Sequence, residues 1–81
     1  MSDISKEWSV IQQQSVADME LTISYSKLKH QFRVAVLQDE RKLEQTFDAL
    51  YEPLFGMDID DSRQAYAIGE ELAQKLEAGL D

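Results

Sequence analysis

The chain of 81 residues contains no cysteine, one histidine and three isolated glycines. Without cysteine it forms neither disulfides nor thiolate zinc sites, which fits a reducing compartment. One histidine alone provides neither a multi-histidine metal site nor a Cys–His nucleophile pair. The glycines form no phosphate-binding loop, and no serine lies in a Gly-x-Ser-x-Gly turn. The sequence therefore predicts a protein that is not an enzyme and has no cofactor.

A long apolar segment is also lacking. No run approaches the ~20 residues that a membrane helix needs. Residues 1–6 have neither the basic start nor the apolar block of a signal peptide. Apolar residues still make up 43% of the chain, which suits a folded protein, and the length suits one domain over residues 1–81. We therefore expect a cytoplasmic domain that does not bind membranes.

Basic residues are scarce, since 8 lysines and arginines face 16 acidic residues and give a net charge of −8. Residues 1–42 carry six of each sign. Residues 43–81 carry ten acidic and two basic residues, so 10 − 2 = 8 and the whole excess lies there. Such a charge repels phosphate backbones, which argues against direct nucleic-acid binding. It favours a basic protein surface as the partner, such as that of a nucleic-acid-binding protein.

Two segments in the first half alternate apolar and polar residues. Residues 19–25 and residues 31–37 both follow this period of two, which predicts two antiparallel strands joined by a loop over residues 26–30. A continuous helix through Leu28, Phe32 and Val36 is the alternative, and its β-branched valines disfavour it.

The N-terminal segment is ambiguous. Ile4, Trp8 and Ile11 recur at steps of four and three, and the glutamines that follow prefer helix to strand, so we predict a short helix over residues 2–16. A strand at Trp8–Gln14 is the alternative. The sheet would then have three strands instead of two.

Residues 40–52 show the spacing of an amphipathic helix, because its apolar residues form a continuous stripe of Leu43, Phe47, Leu50, Tyr51 and Leu54. Asp39 is the expected N-cap, and Pro53 should end the helix.

A last helix is predicted from about Ser62 to Leu80, capped by Asp60, Asp61 or Ser62. Its expected core stripe is Ala65, Ile68, Leu72, Leu76 and Leu80. Glycine costs roughly 1 kcal/mol in a helix interior, so Gly69 predicts a close packing contact.

The expected fold is therefore α+β. It has an N-terminal short helix, a two- or three-stranded antiparallel sheet, and two antiparallel C-terminal helices packed on that sheet. The expected core consists of Leu21, Ile23, Tyr25, Phe32, Val34, Val36, Leu43, Phe47, Leu50, Ile68, Leu72 and Leu76.

Four carboxylates recur at steps of four in the predicted 40–52 helix, which would set them in one row about 6 Å apart. Like charges at this spacing destabilise a helix by roughly 0.2–0.5 kcal/mol per pair, so the row suggests a function. An ordinary solvated acidic face is the alternative. With the acids near the last helix and the half-exposed Tyr66, the candidate partner-binding residues are Glu40, Glu44, Asp48, Glu52, Asp58, Asp60, Asp61, Tyr66, Glu70 and Glu77.

The run Asp58-x-Asp60-x-Ser62 opens like a calcium-binding loop. That loop requires glycine at its sixth position and glutamate at its twelfth. Arg63 and Gly69 stand there, so no metal site is predicted.

In size, acidity and lack of catalytic groups the chain resembles the small acidic inhibitors that bacteriophages and mobile elements encode, including DNA-mimicking anti-restriction and anti-CRISPR proteins. This resemblance implies a stoichiometric inhibitor or decoy that blocks a basic site on a bacterial protein in the host cytoplasm. The alternative is a structural or chaperone-like assembly module, such as a virion or secretion component. Its contacts would be apolar, from Trp8, Leu54, Phe55 and Met57 or from an exposed edge strand.

Overall fold

The protein is described from a computed structural model, which covers residues 7–16, 18–54 and 56–79. It contains strands β1 (Ser9–Val16), β2 (Met19–Ser26), β3 (Gln31–Gln38) and β4 (Arg41–Asp48), followed by helix α1 (Ile59–Glu77). The strands form one antiparallel sheet in the order β1-β2-β3-β4. Helix α1 lies on one face of it, mainly over β3 and β4. The class is α+β as predicted, but the numbers of strands and helices differ from the prediction.

The central hairpin of β2 and β3 confirms both predicted strands. Ile23 is paired with Val34 and Tyr25 with Phe32, and all four side chains are buried beneath the helix. The loop between the strands has no glycine. His30 adopts the left-handed conformation there (φ 55°), and its N–H donates to the Ser26 carbonyl at 2.7 Å.

The predicted N-terminal helix is wrong, because residues 9–16 form β1 and the strand alternative is correct; residues 1–6 lie outside the described residues. Antiparallel pairing with β2 satisfies backbone groups that a helix would have satisfied internally, and this tertiary gain overrides the helical preference of glutamine. The register shifts between Val10 and Gln12, so Ile11 is an extra residue in the strand. That bulge breaks the alternation in the sequence and produces the misleading helical spacing.

The predicted 40–52 helix is also wrong, because residues 41–48 form β4. Residues four apart share a face in a strand as well as in a helix, so the spacing of Leu43 and Phe47 fits both structures. Asp39 lies in the β3–β4 turn with φ 55° and caps no helix. Leu50, which the helix would have buried, is 59% exposed. The sheet therefore has four strands, and one C-terminal helix instead of two.

Helix α1 confirms the last predicted helix, although it begins three residues earlier, ends at Glu77 instead of Leu80 and has Asp58 as its N-cap. Residues 80 and 81 lie outside the described residues. A Cβ atom built on Gly69 would lie 2.8 Å from Leu21 Cδ1, which is the close contact that the glycine predicted. The buried helix residues are Asp61, Ala65, Ile68, Gly69, Leu72 and Leu76.

Candidate functional site

The predicted row of carboxylates does not form, because its four residues lie in three different kinds of structure. Glu40 is in the β3–β4 turn, Glu44 and Asp48 belong to β4, and Glu52 follows the strand. A strand rises about 3.4 Å per residue, so Glu44 and Asp48 lie about 14 Å apart along the chain instead of about 6 Å.

The charge of Glu44 is also partly offset by nearby bases. Its carboxylate lies 3.8 Å from Arg33 Nε and 3.6 Å from Lys42 Nζ. Asp48 accepts a hydrogen bond of 3.1 Å from the Gln31 amide. The face of β4 that points away from α1 is therefore a mixture of both charges and not an acidic stripe.

The three aspartates at the start of α1 have different surroundings. Asp58 is the N-cap, and its carboxylate accepts from the Asp60 N–H at 3.0 Å. Asp60 is exposed. Asp61 is fully buried, so its carboxylate does not contribute to an exposed binding surface.

The remaining predicted residues lie further along the helix. Tyr66 is half-buried, and its hydroxyl bonds to the side-chain amides of Gln12 and Gln14 on β1. Glu70 and Glu77 are exposed, and Glu70 borders a groove between α1 and the sheet.

Exposed apolar residues are concentrated instead in the chain that joins β4 to α1. Leu50, Tyr51, Leu54 and Ile59 are between 55% and 72% exposed, and we call these four residues the apolar patch. A large apolar side chain in water gains about 1.5–3 kcal/mol when it is buried, so a surface that presents several of them favours association.

Hydrogen bonds fix the backbone at the start of the segment that carries the apolar patch. The buried Asp61 carboxylate accepts from the N–H groups of Leu50 at 3.1 and 3.2 Å and of Tyr51 at 3.1 Å. The Ala49 N–H donates to the His30 carbonyl at 3.0 Å. Leu50 and Tyr51 therefore project from an anchored backbone, which lowers the entropy lost when a partner binds them.

Acidic residues predominate in the segment that carries the apolar patch, although Lys27 shares a cleft with Glu52 and Leu54. Residues 43–62 contain six acidic residues and no lysine or arginine. Among them Asp48, Glu52 and Asp60 are exposed. The segment therefore combines apolar anchors with an excess of acidic residues, and its complement is an apolar site with basic residues near it.

Beside this segment is a cleft of about 390 Å³ that includes Tyr25, Glu52, Pro53 and Leu54 in its lining. Tyr25 is 7% exposed, and among the described residues its hydroxyl has no hydrogen-bond partner. Burial raises the pKa of the Tyr25 hydroxyl above its ordinary value of 10.0, and the carboxylates of Glu52 and Asp61 raise it further. The hydroxyl is therefore neutral over the physiological range.

The apolar contact residues predicted for an assembly module differ in solvent exposure. Trp8 is half-buried, and its ring lies 4.6 Å from the guanidinium carbon of Arg33. Met57 is partly buried against the core, whereas Leu54 is 72% exposed. Phe55 lies outside the described residues.

Comparison with protein families, with curated proteins and with solved structures finds no match to this chain. Within residues 7–16, 18–54 and 56–79, no group of three histidine, aspartate or glutamate side chains is placed to hold a metal ion. Over the same residues, no helix has the length and apolarity needed to cross a membrane.

Leu50, Tyr51 and Ile59 are exposed residues that the sequence does not predict, because the helical spacing of residues 40–52 places Leu50 and Tyr51 in a buried stripe. A signal was present: the stretch contains the only proline, a glycine and no base, which is typical of an exposed connection. Leu54, by contrast, is one of the apolar contact residues predicted for an assembly module.

Proposed function

We propose that the protein is a non-enzymatic binding module that attaches to another protein through the apolar patch. The observation that carries this proposal is the exposure of Leu50, Tyr51 and Leu54 at 55–72%, with the backbone of Leu50 and Tyr51 anchored by Asp61. Apolar and aromatic residues on a fixed backbone are typical anchors of protein interfaces.

The exposed carboxylates near the patch define the expected partner more closely. Asp48, Glu52 and Asp60 would face basic residues at the rim of the partner's apolar site, speeding association and excluding acidic surfaces. Binding of this kind suits an assembly or chaperone-like module. It suits equally well an inhibitor that covers a site on its partner.

A purely electrostatic decoy that occupies a nucleic-acid-binding site is the second candidate. The net charge of −8 supports it. The two candidates differ in the force that holds the complex, since the decoy depends on carboxylates and the module on apolar side chains.

The test is affinity capture from a bacterial lysate with the immobilised protein, quantified for each retained protein. The double variant Leu50→Ser/Leu54→Ser should lose at least tenfold of the main retained species, because it removes two anchors. The matched control Leu28→Ser/Leu37→Ser makes the same changes at exposed leucines outside the patch and should retain it.

A triple variant, Glu44→Lys/Asp48→Lys/Glu52→Lys, distinguishes the electrostatic decoy from the apolar binding module. Complete loss of the retained species with this variant, together with full retention by Leu50→Ser/Leu54→Ser, would reject the apolar module in favour of the decoy.

A further inference from the structure

Strand β1 forms one edge of the sheet, and its sequence differs sharply from that of the opposite edge. No described residue pairs with β1 on the side away from β2. Its eight residues, Ser-Val-Ile-Gln-Gln-Gln-Ser-Val, contain no charge, proline or glycine. Edge strands in monomeric proteins usually carry charged residues or proline, because their unpaired backbone groups otherwise recruit another strand. Edge strand β4 follows this rule, with Arg41, Lys42, Glu44 and Asp48.

The bulge protects only the N-terminal end of β1. From Gln12 to Val16 the strand pairs with β2 in unbroken register, so this stretch presents a regular row of outward backbone groups. Gln13, Gln14 and Ser15 are exposed.

Helix α1 leaves this edge largely uncovered, because it lies over β3 and β4. Among the hydrogen bonds described, only Tyr66 links the helix to β1, through Gln12 and Gln14. Beside it a groove of about 260 Å³ runs between β1, β2 and the helix, with an apolar lining that includes Met19, Leu21 and Ala73. The helix therefore covers little of the edge that an added strand would occupy.

We propose that β1 pairs antiparallel with β1 of a second copy of this chain, which joins the two sheets into one eight-stranded sheet. The distribution of charge argues for a second copy as the occupant. A net charge of −8 disfavours contact between two copies, whereas β1 carries no charge of its own. The acids beside it lie on other elements, since Glu20 is on β2 and Glu70 is on α1.

Pairing at β1 therefore joins two strands that carry no charge. Every residue opposite another in the β1–β1 pair is neutral, whatever the register, so no like charges meet. A single edge-strand pair buries less surface than a standard stable interface, so the dimer is weak and concentration-dependent. This inference does not use the apolar patch, and its outcome is independent of the proposed function.

Sedimentation velocity over a concentration series tests the dimer. The wild-type chain should shift from monomer to dimer as its concentration rises. Gln13→Lys/Ser15→Lys should raise the dimer dissociation constant about tenfold or more, because it places like charges on both copies of β1. Circular dichroism should show an unchanged fold, since both positions are exposed.

The control Gln45→Lys/Thr46→Lys adds the same two charges to exposed positions of β4. Both variants reduce the magnitude of the net charge from −8 to −6 (−8 + 2). A general charge effect would therefore strengthen the association of both variants. Only pairing at β1 weakens the first and spares the second.

Mixing Gln13→Lys/Ser15→Lys with Gln13→Glu/Ser15→Glu should restore a dimer that neither variant forms alone. A wild-type chain that remains monomeric up to millimolar concentration would overturn the proposal. So would a dimer that the β1 lysines leave unchanged.

Discussion

Tyr25 is a buried polar group whose hydroxyl lacks a partner among the described residues. An unsatisfied buried hydroxyl costs about 1–3 kcal/mol, so Tyr25→Phe should leave the free energy of unfolding unchanged or raise it by about 1 kcal/mol at pH 7. Chemical denaturation measures this. A loss above about 1 kcal/mol would show that the hydroxyl has a stabilising partner.

The raised pKa of Tyr25 also predicts how stability depends on pH. Above the ordinary pKa of 10.0 the unfolded chain releases the tyrosine proton while the folded chain keeps it. The free energy of unfolding therefore falls as pH rises from about 10 towards the folded pKa. Tyr25→Phe should reduce this alkaline loss, whereas the control Tyr51→Phe, at a 55% exposed position, should retain it. Equal alkaline loss in wild type and Tyr25→Phe would contradict the assignment.

Asp61 illustrates a residue whose role the sequence did not reveal. Its buried carboxylate accepts hydrogen bonds from the backbone of Leu50 and Tyr51. Asp61→Ala should lower the free energy of unfolding by about 2–3 kcal/mol, because it removes charge-assisted hydrogen bonds and leaves backbone donors without partners. Asp60→Ala, which is exposed, serves as the control and should cost less than about 1 kcal/mol. Equal effects in a denaturation experiment would exclude the anchoring role.

At the scale of elements, Arg41 connects the start of β4 to the end of α1. Its Nη1 donates to the Leu76 carbonyl at 3.1 Å, and the Gly79 N–H donates to the same carbonyl at 3.1 Å. Arg41→Ala should therefore lower the free energy of unfolding by about 1 kcal/mol and speed amide exchange near Gly79. Lys42→Ala is the neighbouring control. Unchanged exchange in the last helical turn would show that Arg41 does not hold it.

The elements that the sequence predicted correctly are those whose pattern favours one structure over the other. The alternation over β2 and β3 and the β-branched valines of β3 disfavour the helical alternative, and the apolar spacing of α1 fits no strand. For β4 the spacing of Leu43 and Phe47 suits both structures, and pairing with β3 decides the outcome. That pairing is a non-local contact, which local propensity does not encode.

The candidate site depended on the same error. Once residues 40–52 were assigned to a helix, the steps of four made Glu44 and Asp48 a row and made Leu50 a core residue. The strand reverses both inferences, since it separates the carboxylates and exposes the leucine. Leu54 was predicted as a contact residue because Pro53 indicated a break in regular structure, and it is exposed.

At the scale of the whole molecule, the excess negative charge and the apolar patch lie in the same half of the chain. Residues 43–81 carry the full net charge of −8, and they also carry the apolar patch. If two copies pair through β1, each copy presents one patch. A dimer would then hold a partner with two sites more tightly than one patch could, because the second contact becomes intramolecular.

The central claim is that apolar contacts, and not charge, hold the partner. The most direct measurement is retention of the captured protein on the immobilised chain as salt rises from about 0.1 M to 1 M, where the screening length falls from about 10 Å to 3 Å. We predict that most of the protein retained at low salt stays bound at 1 M and is released by Leu50→Ser/Leu54→Ser. Complete elution at 1 M, with no effect of that variant at low salt, would contradict the claim.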